Sequence, residues 1–129
     1  MSNWRVAPES AARVRVKGRP TGYSAGENEK RWKQAVSDAT VGVRPPKGRI
    51  GIEIEFVMLP TQVGHLAPDL DNLIKSTVDA LIDCIGERAV KGRKQADDER
   101  VDIIVARKHV GSSVDEAGAS LAIWSLESV

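Results

Sequence analysis

Residues 50–58, "IGIEIEFVM", place Ile50, Ile52, Ile54, Phe56 and Met58 on alternate positions, with Glu53 and Glu55 between them. Successive side chains of an extended chain point to opposite faces, so this period of two predicts a strand with one dry face and one wet face. A dry face needs a cover. The segments on either side supply it: both carry apolar residues at the helical period of three and four.

Upstream, "GVRPPKGR" (42–49) is turn-rich. Before it Trp32, Ala35, Val36 and Ala39 follow at helical intervals, which predicts a helix over Glu27 to Ala39 with Ser24 and Glu27 in capping-box spacing. "RVRVKG" (13–18) alternates Val14 and Val16 with cations and predicts a short first strand. Residues 1–10 are expected to be a flexible tail, which leaves 11–129 as a single domain.

Downstream, "PDLDNLIKSTVDALIDCIG" (68–86) sets Leu70, Leu73, Ile74, Val78, Leu81, Ile82 and Ile85 on one arc at 100° per residue. This predicts a second helix over Leu70 to Ile85, ended by Gly86. "ERAVKGRKQ" (87–95) reads as an exposed basic loop. "VDIIVARK" (101–108) is a third strand. "ASLAIWSL" (119–126) is a fourth, turning either Leu121 and Ile123 or Ala122 and Trp124 inward. The order β-α-β-α-β-β predicts an α/β (α+β) fold, a small mixed sheet with two main helices packed on it.

Composition narrows the function classes. The chain has 129 residues, 41% hydrophobic and 29% charged, as expected of a soluble globular protein. No apolar run approaches the roughly 20 residues of a membrane span and the N-terminus has no apolar signal core, so a cytoplasmic protein without a membrane partner is expected. Cys84 is the only cysteine and falls within the apolar helix pattern, which favours packing over thiol chemistry. His65 and His109 are isolated, so zinc is not expected. Tyr23, Trp4 and Trp124 could stack on bases, but aromatics make up only 4% of the chain and no basic-aromatic platform is present. A glycine-rich phosphate loop is absent as well.

The net charge of +1 conceals local basic clusters at Arg13, Arg15, Lys17 and Arg19, at Arg44, Lys47 and Arg49, and at Arg88, Lys91, Arg93 and Lys94. Asp71, Lys75 and Asp79 lie along one border of the second helix's apolar arc. Asp71 there favours the helix dipole, and pairing with Lys75 would add about 0.2 to 0.5 kcal/mol. Asp69 is surplus to that account. Two carboxylates about 4 Å apart repel by about 1 kcal/mol in water and about 4 kcal/mol at a sheltered site. A divalent cation reverses that sign, and Mg²⁺ takes one or two carboxylates together with phosphate and water.

The segments "PDLDNLIKSTVDAL" (68–81) and "ADDERVDIIVARK" (96–108) resemble the RusA family of Holliday junction resolvases. In that family an Asp-x-Asp-Asn-x-x-Lys motif opens a helix and an Asp-Asp pair precedes a strand. The resemblance implies that Asp69, Asp71 and Asp98 bind Mg²⁺, with Mn²⁺ as a substitute, and that Lys75 is the essential lysine. Asp97 corresponds to the neighbouring acid, while Asn72 and Asp79 match motif positions that support the ligands.

It further implies a homodimer that nicks branched DNA, the four-way junction, in recombination and repair. Arg15, Lys17, Arg19, Arg88, Lys91, Arg93 and Lys94 are then candidates to hold DNA phosphates. Three departures stand out: Arg100 where many members have Gln, a longer link between Asp79 and Asp97, and "KGRPTGYSAG" (17–26) in place of a "PPSxN"-like element. The first two motivate an alternative, a non-catalytic DNA-junction-binding or assembly module that retains the fold, and the third bears on substrate preference.

Overall fold

The computed structural model describes residues 6–126. Its strands are β1 (Ala12–Lys17), β2 (Ile50–Met58), β3 (Glu87–Val90), β4 (Arg93–Ala96), β5 (Val101–Val110) and β6 (Gly118–Ser125). Its helices are α1 (Glu27–Ala39), α2 (Leu70–Asp79) and the single turn α3 (Ile82–Ile85). The fold is α+β, as the residue pattern predicts.

A four-stranded sheet runs in the order β1-β6-β2-β5. β6 pairs antiparallel with both β1 and β2, whereas β5 pairs parallel with β2, placing Ile52 beside Ile104 and Ile54 beside Ala106. The parallel pair needs a crossover, and the α2 to β4 segment supplies it. Ile50, Ile52, Ile54 and Phe56 are completely buried and Met58 nearly so. They form one core with Trp32 and Val36 of α1 and Leu73 and Val78 of α2.

Both candidate pairs on β6 are buried, on opposite faces. Leu121 and Ile123 join the helix-side core, while Ala122 and Trp124 pack with Ala7 on the other face. The Trp124 ring lies so close to Gly51 that a Cβ there would sit 2.4 Å from it, so β2 needs glycine at that position. Of the segment expected to be a flexible tail, Ala7 is buried and the Val6 N–H donates to Glu53 at 3.1 Å. The preceding five residues, Trp4 among them, lie outside the described residues.

Three expectations need correction. The second helix is not continuous to Ile85: the Ala80 and Leu81 N–H groups bond three residues back, to Thr77 and Val78, and a new turn begins at Ile82. The apolar period runs through this break unaltered, so hydrophobic spacing could not reveal it. Ser24 does not cap α1, whose N-cap is Gly26; the Ser24 N–H instead donates to Glu29 at 3.0 Å. The "ERAVKGRKQ" segment is the β3-β4 hairpin, with Lys91 (φ 51°) and Gly92 (φ 79°) making the two-residue turn of positive φ that hairpins favour. Only Ala96 of the hairpin is buried, so no alternation marks these strands in the sequence.

Cys84 is fully buried, and burial raises its thiol pKa to about 11. A thiolate is the reactive form, so the native protein is expected to resist iodoacetamide at pH 8 and to label fully only in denaturant. Mass spectrometry of the alkylated chain checks this, and rapid native labelling would contradict the packing role.

Candidate active site at the start of α2

Pro68 ends the preceding extended segment, and Asp69 is the N-cap of α2. Its carboxylate makes no capping bond and is exposed. Asp71 sits in the first turn, where its Oδ1 accepts from the Asn72 N–H at 3.0 Å. Lys75, one turn further, donates to Asp79 at 3.2 Å, so the ladder closes on Asp79 and not on Asp71. Lys33 of α1 approaches the other Asp79 oxygen at 3.9 Å. Asp79 is thus flanked by two cations, while among the described residues no ion pair engages Asp69 or Asp71.

The Asp97-Asp98 pair reaches this helix. Asp98 opens a 3-10 turn, Asp98–Arg100, that leads directly into β5. Two adjoining depressions of about 290 and 300 Å³ share Lys75, Asp79 and Asp98 in their walls. Asp71, Val101 and Ile104 border one; Arg88 and Lys94 border the other. The structure therefore brings Asp71, Lys75, Asp79 and Asp98 around one surface hollow, with Asp69 at the helix cap beyond its lining. Among the described residues no three His, Cys, Asp or Glu side chains are grouped to hold a metal ion unaided.

Two arginines fix the turn that carries Asp98. Arg49 donates to both carboxylate oxygens of Asp102, at 3.0 and 2.6 Å, and to Glu99 at 3.1 Å. The hydrogen bond to Asp102, then that to Glu99, raises the Arg49 pKa still further, and the reciprocal bond lowers that of Asp102. A lowered carboxylate pKa means stability present above the ordinary Asp range and lost as pH falls through the lowered value. Arg100 donates to the carbonyls of Ile85 at 2.8 Å, Gly48 at 3.0 Å and Pro46. It thereby ties α3, the loop before β2 and the acidic turn together.

Several predicted DNA contacts have partners within the chain. Arg88 pairs with Asp98 at 3.3 Å and with Asp97 at 3.8 Å, so it sits over the acid pair. Lys94 is 3.9 Å from Glu87. Lys91 and Arg93 lie exposed at the hairpin turn. Arg15, on the far sheet edge, donates to the carbonyls of Val16 and Glu116, while Lys17 and Arg19 are exposed. His65 is exposed in a 3-10 turn, and His109 stands 3.6 Å from Glu55 on the sheet's other face. A cavity of about 390 Å³ on that face is lined by Arg13, Arg15, Glu53, Glu55 and Arg107. Arg107 and Glu55 are 2.5 Å apart there.

Sequence spacing missed the loop that backs the motif. The Tyr23 N–H donates to the Asn72 carbonyl at 3.2 Å, and Lys75 stands 5.7 Å from the centre of the Tyr23 ring, within cation-π reach. A Cβ on Gly22 would lie 3.2 Å from the Cβ atoms of both Asn72 and Pro68, so a side chain there would crowd the start of α2. Ser76 and Gln62 hold the same loop through the Thr21 and Pro20 carbonyls, at 2.5 and 2.8 Å. These contacts span more than 40 residues, and no local pattern announces them.

An acidic helix start, a neighbouring lysine and a rim of cations on an α+β sheet suit a protein that acts on nucleic-acid phosphodiesters. Residues 5–116 match the family described as Endodeoxyribonuclease RusA. The chain belongs to the RusA family of endodeoxyribonucleases, enzymes of Holliday junction resolution. No curated protein matches the sequence. Among the described residues no helix is long and apolar enough to cross a membrane.

Proposed function

We propose that this protein is a Mg²⁺-dependent, structure-specific endodeoxyribonuclease that resolves four-way DNA junctions by paired symmetric nicks, acting as a C2 homodimer. The observation that carries this reading is the meeting of Asp71 and Lys75 with Asp98 around one hollow, from segments separated by more than 20 residues. The donor set fits Mg²⁺: hard carboxylate oxygens, too few to complete a cage, in an open hollow where a phosphate and waters supply the rest. Asp71 and Asp98 would hold it, with Asp69 the third candidate from the helix cap.

Mg²⁺, when bound, supplies Lewis acidity toward a phosphoryl oxygen and toward water. The chain's own part is positioning. Lys75, oriented by Asp79 and the Tyr23 ring, offers its ammonium to charge that builds on the phosphate oxygens in the transition state. Arg49 and Arg100 hold the Asp98 turn in place, and the exposed hairpin cations offer contacts to flanking phosphates. A four-way junction has near two-fold symmetry, so paired nicks call for two sites related by the same operation.

Incubation of the protein with an end-labelled four-way junction tests the reading. Symmetric nicks are expected with Mg²⁺ and none with EDTA. Junction binding without nicking in Mg²⁺ or Mn²⁺ would instead favour the non-catalytic module.

Arg88 yields a separate prediction. Its guanidinium neutralises Asp98, so a divalent cation must compete with it. An exposed pair of this kind is worth about 0.2 to 1 kcal/mol. Arg88→Gln is accordingly expected to tighten Mn²⁺ binding up to about 5-fold, since 1.4 kcal/mol is tenfold. Calorimetry without DNA reads this directly. Unchanged affinity would mean that Arg88 does not shield the site.

A further inference from the structure

The two adjoining hollows beside α2 differ in charge. Three carboxylates, Asp71, Asp79 and Asp98, face the single cation Lys75 in the wall of one, which suits a cation. In the other, of about 290 Å³, three cations, Lys75, Arg88 and Lys94, face two carboxylates, Asp79 and Asp98, so the excess is positive. Gln95 adds an amide to that wall and Ala96 a small, buried side chain. An open hollow with excess positive charge and an amide suits an anion with several oxygens.

Arg88, Lys94, Gln95 and Ala96 all belong to the β3-β4 hairpin, which fills the lengthened link between Asp79 and Asp97. The Asp97 N–H donates to the Gly86 carbonyl at 2.8 Å, which closes the base of the hairpin and fixes it beside the acid pair. Each cation of the hollow has a partner within the chain. Lys75 is 3.2 Å from Asp79, Lys94 is 3.9 Å from Glu87, and Arg88 is 3.3 Å from Asp98 and 3.8 Å from Asp97. Exposed pairs of this kind are weak and screened, so an anion entering the hollow can exchange with them. Arg88 differs from the other two in what holds it: its partners are the acids assigned to the metal. Once Asp98 is engaged by a divalent cation, the guanidinium loses the charge that retains it and already lines the hollow that an anion would enter.

We infer that the hollow between α2 and the hairpin is a phosphate subsite. It takes a backbone phosphate of the bound DNA strand, with Lys94 and Gln95 as standing contacts and Arg88 as a contact that passes from Asp98 to the phosphate when the acids hold a cation. The inference deepens the proposed function and rests on its metal and DNA assignments. It adds a coupling: cation binding frees a DNA contact, so by linkage each ligand favours the other.

The salt dependence of junction binding tests this, because each phosphate contact contributes about 0.9 to the slope of log affinity against log salt. Binding of a fluorescent four-way junction is measured by anisotropy across a range of NaCl, once with EDTA and once with Ca²⁺ in place of Mg²⁺, and each variant is compared with wild type in the same buffer. Lys94→Gln is expected to flatten the slope by about 0.9 per subunit in both buffers. Arg88→Gln is expected to flatten it by the same amount in Ca²⁺ and to leave it unchanged in EDTA. Arg88→Lys, which keeps the charge, is expected to follow wild type in both, and this separates the loss of a contact from damage to the hairpin.

A Lys94→Gln slope equal to wild type overturns the subsite. An Arg88→Gln slope that equals wild type in Ca²⁺, or flattens as much in EDTA, overturns the exchange. Nicking of the same junction in Mg²⁺ reports on the nuclease reading separately: nicking with unaltered slopes overturns the subsite alone, and slopes that shift as expected without nicking overturn the nuclease alone. A protein that does not bind the junction overturns both.

Discussion

Asp71→Asn is expected to lower junction nicking at least about 100-fold while junction binding in the absence of metal stays within about 3-fold of wild type. The first figure follows from the size of the effect removed: metal ligation supplies several kcal/mol of transition-state stabilisation, and each 1.36 kcal/mol is tenfold. The second follows from exposure. Asp71 is exposed, its carboxylate accepts from the adjacent Asn72 N–H, and an Asn side-chain oxygen can accept that bond equally well. Removing a negative charge beside DNA phosphates can only favour binding, so loss of nicking cannot be blamed on loss of substrate. Gel-shift and cleavage assays on the same labelled junction separate the two quantities. Nicking within 10-fold of wild type would remove Asp71 from the metal site and leave the proposed chemistry without its central ligand.

Asp79→Asn offers the contrasting case on the same helix. Asp79 is held by Lys75 and flanked by Lys33, so it orients the lysine in place of offering its oxygens to a cation. A milder loss, about 10-fold, is expected from a displaced ammonium that remains charged, by analogy with the partial losses seen for residues that orient a ligand. The ratio of the two defects, read in one cleavage assay, distinguishes a ligand from its support.

The parts of the fold visible in the sequence are those with a strong period and a face to bury. The five apolar side chains of β2 and the stripe of α1 lie where their spacing puts them, because burial enforces spacing. The β3-β4 hairpin escaped because seven of its eight strand residues are not buried, which leaves backbone turn geometry as its only signal. The break in α2 escaped for the opposite reason, being written into backbone hydrogen bonds beneath an uninterrupted apolar stripe.

At the site, the motif residues were legible, but their alliances were not. Lys75 is four residues from both Asp71 and Asp79, and only the approach of Lys33 and Tyr23 from other elements accompanies the choice of Asp79. The meeting of Asp98 with α2 depends on the crossover between β2 and β5 and on anchoring by Arg49 and Arg100. Long-range geometry of that kind has no local period.

Trp32→Ala is expected to cost about 3 to 5 kcal/mol of stability, the usual range for emptying a buried aromatic site. Trp32 is 1% exposed, its ring lies 3.7 Å from where a Cβ on Gly18 would stand, and its Nε1 donates to the Thr77 hydroxyl at 3.0 Å. It therefore joins α1 to α2 and faces the turn after β1 as well. For a domain whose total stability is about 5 to 15 kcal/mol, such a loss brings unfolding close to ordinary temperatures.

Trp32→Phe separates packing from polarity: it keeps an aromatic ring but orphans a hydroxyl on a fully buried threonine, at an expected cost of about 1 to 3 kcal/mol. Urea denaturation of the three proteins measures both steps as falls in midpoint at a common slope. If Trp32→Phe matched wild type, the Trp32–Thr77 bond would be dispensable, and the placement of α2, with Asp71 and Lys75 on it, would rest on its apolar contacts and on the bonds of Asn72 and Ser76 to the loop before α1.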